Sequence, residues 1–156
     1  MIGYRIVKTK FLDTAWSGYG AQQYGGRWNH KGKAMIYLAT SVSLAMLECL
    51  VHFDDAALLQ HYTLLSIEVS DAEIITLEPS ALPANWQQLT APQETMDIGS
   101  EWLDSATSVG LLVPSAVVPM ENNLLINPQH ADFATYLASA QAIPHLFDAR
   151  LKSRRD

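Results

Sequence analysis

Hydrophobic positions change their spacing several times along the chain, and each change marks an element. Residues 4–7 (YRIV) read as a short first strand. Residues 11–24 are rich in Gly, Ser and Ala and read as an irregular surface loop. Gly25 and Gly26 follow, a pair that permits unusual backbone angles and a close approach to a ligand. Residues 34–39 (AMIYLA) predict a strand, and Ser41 or Ser43 is placed to cap a helix running to about Phe53. Residues 63–69 (TLLSIEV) alternate as a strand does, with 74–77 as a further candidate. Residues 79–95 contain three prolines and little periodicity, which predicts a loop with a short helix around Trp86. A helix is expected over 98–106, carrying Trp102 and Leu103. Residues 111–118 (LLVPSAVV) form a strand that 119–122 turn into 123–126, a hairpin pattern. A short helix near Phe133 follows, and 138–147 read as a last strand or as a helix. Strands and helices mix without regular βαβ alternation. The expected class is α+β: one domain over residues 1–156, a mixed or mostly antiparallel sheet with flanking helices.

The helix from Ser43 to Phe53 is apolar on nearly every face, the pattern of a buried helix, yet it carries Glu48 and His52. Four residues apart, these two share a face and can touch. A buried unpaired carboxylate is costly. Two explanations stand: a Glu48–His52 ion pair at the rim of the core, or a polar stripe lining a cleft. Arg27, Tyr37 and Ser115 also interrupt apolar surroundings. Each has an ordinary structural explanation; the constellation is more informative than its members.

With 156 residues and 49% hydrophobic content the chain can bury a core of its own. Its net charge of −6 disfavours nucleic acid, and its only basic cluster is the tail Lys152, Arg154, Arg155. One cysteine, Cys49, excludes an internal disulfide and reads as an inert thiol. Neither a signal peptide nor an apolar run long enough for a membrane span is present, so a cytoplasmic setting is expected. The five histidines show no metal-ligand spacing, and no Gly-rich phosphate loop or G-x-S-x-G elbow occurs.

The order of the polar residues resembles the RES domain, the toxin of bacterial RES–Xre toxin–antitoxin pairs. The resemblance rests on YGGRWN with Arg27, AMIYLA with Tyr37, SLAMLECLVH with Glu48, VPSAVVPMENNLLINPQH with Ser115, and the closing FDARL at 147–151. It implies an ADP-ribosyltransferase-like fold with NAD+ as substrate and no other cofactor. The nicotinamide–ribose bond would be cleaved by a glycohydrolase or phosphorylase. A protein-directed mono-ADP-ribosyltransferase and a catalytically silent module binding an Xre-type partner are the alternatives. Under that resemblance Glu48 would stabilise the ribosyl cation, Arg27 would hold the pyrophosphate, and Tyr37 would stack on nicotinamide. Ser115 would orient Glu48 or the ribose, and Asn127 and His52 would support the site. An Xre-type antitoxin and a homodimer within the toxin–antitoxin complex are the implied protein partners.

Overall fold

The computed structural model describes residues 1–51, 61–145 and Asp148. Seven strands form one mixed sheet: β1 (Ile2–Lys8), β2 (Ile36–Ala39), β3 (Tyr62–Glu68), β4 (Ile74–Thr76), β5 (Gly110–Pro114), β6 (Asn122–Ile126) and β7 (Gln141–Ile143). Their order across the sheet is β4-β5-β6-β2-β1-β3-β7, and every neighbouring pair is antiparallel except β4–β5. The α+β expectation holds.

The pairing is uneven at the centre. β1 runs beside β3 through seven registered pairs, from Ile2↔Glu68 to Lys8↔Tyr62. Against β2 it keeps one, Tyr4↔Ala39. The sheet therefore divides into a β4-β5-β6-β2 half and a β1-β3-β7 half that share a single registered pair and part beyond it.

β6 lies between β2 and β5, and Leu124, Leu125 and Ile126 are all fully buried because both faces of the sheet are covered. One face carries Ile36, Leu38, Ile67, Val109, Leu124, Ile126 and Phe133. The other packs Leu111, Val113 and Leu125 against Trp28 and against Trp102 of helix α3 (Gln93–Ser105). Alternation at period two generates this division. Helix α2 (Val42–Leu50) is capped by Ser41, whose Oγ accepts the Leu44 N–H at 3.1 Å.

Several expectations need correction. Residues 11–24 are not all loop: a 3-10 turn covers Thr9–Thr14, and helix α1 (Tyr19–Tyr24) sits between glycines of positive φ, Gly18 and Gly25. Turns without a helix surround Trp86. The strand expected over 111–118 stops at Pro114, and the chain bends over 116–118. α2 is not buried on all sides, since only Leu44 and Ala45 are buried in it while Leu47 is 43% exposed. His52 and Phe53, and all of the FDARL motif except Asp148, lie outside the described residues.

α3 presses on the segment carrying Arg27. A Cβ at Gly99 would lie 1.8 Å from the Trp28 carbonyl oxygen, so only glycine permits this contact. Around it, His30 Nε2 meets Asp97 Oδ1 at 2.6 Å, Ser100 Oγ accepts the His30 N–H, and Lys33 pairs with Asp104. Gly99→Ala is expected to force helix and loop apart, costing about 3 kcal/mol and lowering Tm by roughly 6–12 °C. A thermal melt matching the parent would overturn this account of the contact.

Candidate functional site

Where β1 and β2 splay, a wide cleft of about 1940 Å³ opens. β1 contributes Tyr4, Arg5 and Lys8; β2 contributes Tyr37 and Ala39; α2 contributes Glu48 and Cys49; β6 contributes Asn123. Arg27 and its glycines form one wall, and Gln87, Leu89 and Ala91 of the preceding-α3 loop form another.

Arg27 stands in the cleft, and its guanidinium already has work within the fold. Nη1 donates to the Trp86 carbonyl at 2.6 Å and Nη2 to the Gln88 carbonyl at 2.9 Å. It therefore clips the 86–88 loop to the glycine segment, which a free loop arginine would not do.

Tyr37 is held from both sides. Its hydroxyl donates to Asn29 Oδ1 at 2.7 Å and accepts the Trp28 N–H at 2.9 Å. A Cβ at Gly26 would lie 2.5 Å from that hydroxyl, so Gly26 makes room for Tyr37. Burial holds the phenol well above its ordinary pKa, with the Trp28 hydrogen bond and the Arg27 charge opposing in part. With its hydroxyl occupied and its ionisation suppressed, Tyr37 can offer the cleft its ring.

Glu48 is fixed through one oxygen. Ser115 Oγ donates to Oε1 at 2.7 Å, and Asn123 Nδ2 donates to the same atom at 2.6 Å. Such short charge-assisted bonds hold a carboxylate firmly. Oε2 accepts no hydrogen bond among the described residues, and no cation there pairs with Glu48. Ser115 itself is fully buried. Its Oγ also accepts the N–H groups of Val117 and Val118, which aims its hydrogen at Glu48. Ser115 thus reaches the cleft only through Glu48.

Asn127 is not part of this grouping. It is buried, with Nδ2 donating to the Leu103 carbonyl and Oδ1 accepting the Gln129 N–H, so it ties β6 to α3. Cys49 lines the cleft with its thiol pushed up to about 11 by burial, consistent with an inert cysteine.

Two residues escaped the sequence reading. Arg5 interrupts the apolar β1, which was the available signal. Its guanidinium donates to the Ala15 carbonyl and lies 5.9 Å from the Trp16 ring centre, while Nε is buried without a partner. Burial pulls it down to about 10, and no carboxylate pairs with it among the described residues. Asn123 shares a strand face with Leu125, a polar group where the alternation calls for an apolar one. Its Oδ1 is buried without a partner, a cost of about 1–3 kcal/mol for a group of this kind. Elsewhere, Glu73, His130 and Asp132 converge with ligand-type atoms within 4.8 Å, a cluster their sequence spacing hides; none of them lines the cleft.

The RES domain model matches residues 2–148. The chain belongs to the RES domain family. It is 57% identical over 152 residues to a protein named Toxin Res from Yersinia enterocolitica, covering 97% of this chain and all of that one. It is 41% identical over 138 residues to a Sphingobium protein named Prs ADP-ribosylating toxin, covering 86% and 85% of the two chains. Among solved structures, the Mycobacterium tuberculosis MbcT–MbcA toxin–antitoxin complex contains a chain with TM-score 0.69 and 23% identity, covering 92% of this RES chain and 81% of that one. That likeness establishes a shared fold.

Tyr37→Phe keeps the ring and strands two partners, the Trp28 N–H and Asn29 Oδ1. It is expected to cost about 1–3 kcal/mol, seen as a Tm lowered by roughly 2–12 °C. An unchanged melt would mean the hydroxyl does not hold this RES loop.

Proposed function

We propose that this RES chain is the toxin of a toxin–antitoxin pair and consumes NAD+ in the cleft by breaking the nicotinamide–ribose bond. The observation that carries the reading is the distribution of charge. In a chain of net charge −6, the cleft is lined by Arg5, Lys8, Lys10 and Arg27, with Glu48 as its one carboxylate among the described residues. A pyrophosphate suits the cations. A ribosyl cation, formed as nicotinamide leaves with the bonding electron pair, suits the isolated carboxylate. Arg5 and Arg27 are the phosphate grips in this reading, Tyr37 supplies a face for the pyridinium ring, and Oε2 of Glu48 stabilises the developing charge and grips a ribose hydroxyl. Nicotinamide is a good leaving group and needs no separate acid. NAD+ is here a substrate, and no additional cofactor is invoked.

The acceptor for the ribosyl carbon is water, phosphate or a protein side chain. The Sphingobium relative's name favours a protein acceptor as the second reading. The solved neighbour's title supports an antitoxin partner for this chain as well. We take the antitoxin to be of the Xre type, the complex to contain a toxin homodimer, and the setting to be cytoplasmic. No helix among the described residues is long and apolar enough to cross a membrane.

Incubating the purified chain with NAD+ and measuring free nicotinamide tests the reading; chromatography of the ribosyl product identifies the acceptor. Glu48→Gln keeps an acceptor oxygen for Ser115 and Asn123, so Tm should stay unchanged or rise. Nicotinamide release should fall about a hundredfold or more, equivalent to roughly 3 kcal/mol of lost transition-state stabilisation. A fully active Glu48→Gln enzyme would remove Glu48 from the chemistry.

A further inference from the structure

We propose that Asn123 is a positioning residue that determines which oxygen of Glu48 meets the substrate, an inference that rests on the NAD+ reading above. Ser115 alone gives the carboxylate one anchor and leaves it free to swing about that contact. Asn123 adds a second donor to the same oxygen, from a different strand. The two donors reach Oε1 from the end of β5 and from β6, which holds that oxygen and, through the in-plane preference of its lone pairs, restrains the plane of the group. Among the described residues, Oε2 is left as the unpartnered oxygen, in a side chain that lines the cleft.

The position of Asn123 argues that the amide serves the site. It stands opposite Ala39 of β2 and Val113 of β5, on the strand face that carries Leu125 into the core. Its cross-strand neighbours are apolar, although its own half-buried side chain also lines the cleft. The fold holds there an amide whose Nδ2 meets Glu48 while its Oδ1 is buried with no donor. Turning the amide over would set oxygen against oxygen at Glu48, so aiming the donor leaves the acceptor stranded. A residue selected for stability alone would not retain that arrangement.

Asn123→Leu removes the donor and the stranded acceptor together, and Asn123→Asp keeps the shape but replaces the donor with an acceptor. For Asn123→Leu we expect an equal or higher Tm. Its kcat for nicotinamide release should fall about 10- to 100-fold, as for a reacting group displaced by a fraction of an ångström to an ångström, with KM for NAD+ within about twofold. Asn123→Asp should lose at least as much kcat, again with KM nearly constant. Crystal structures of the parent and of Asn123→Leu supply a readout independent of activity: the Glu48 carboxylate should keep its contact with Ser115 and rotate about it. Loss confined to KM would make Asn123 a substrate contact and overturn the proposal, as would full activity or an unmoved carboxylate. A parent protein that releases no nicotinamide refutes the NAD+ reading, and the crystallographic comparison then still decides whether Asn123 positions Glu48.

Discussion

The cleft exists because two central strands of one sheet pair at a single position. Backbone hydrogen bonding normally closes neighbouring strands along their whole length. Here β1 and β2 share one registered pair, Tyr4↔Ala39, and residues of both strands line the cleft. Arg5 points from one side of the split and Tyr37 from the other, while α2 follows β2 directly and carries Glu48 to the rim. The remainder of the fold keeps the gap open and populated with fixed side chains. Full β1–β3 pairing anchors one half, and the doubly covered β6 anchors the other.

Fixing those side chains falls to buried polar groups. Asn29 has no exposed surface, and its Nδ2 donates to the carbonyls of Ala21, His30 and Lys33 while its Oδ1 accepts from Tyr37. A segment with two glycines would otherwise sample many conformations. One amide folds it back on itself and fastens it to β2, and α3 closes over it at Gly99. Arg27 is consequently held at its base by the fold itself.

Local pattern revealed the strands well because alternation between core and surface is a local property of a sheet. It also revealed Arg27, Tyr37, Glu48 and Ser115 as polar groups out of place. What stayed hidden was nonlocal. The 86–88 segment takes its shape from carbonyls bound by Arg27, 59 and 61 residues away. Alternation puts Asn123, Leu125 and Asn127 on one face of β6, and only the sheet order shows that the Asn123 end adjoins the cleft while the Asn127 end meets α3. Glycine has a similar ambiguity: Gly26 reads equally as room for a ligand or for a neighbour, and the neighbour is the Tyr37 hydroxyl.

The bonds that complete the cleft join distant parts of the chain: Glu48 to Ser115 across 67 residues and to Asn123 across 75. Contacts of such long separation form late, after the entropy of closing large loops has been met. During synthesis, a growing chain that has already displayed Arg5, Arg27, Tyr37 and Glu48 still lacks both donors that steady the carboxylate. Ribosome-bound and truncated forms ending before Ser115 therefore leave the Glu48 carboxylate without the contacts that hold it in the finished fold.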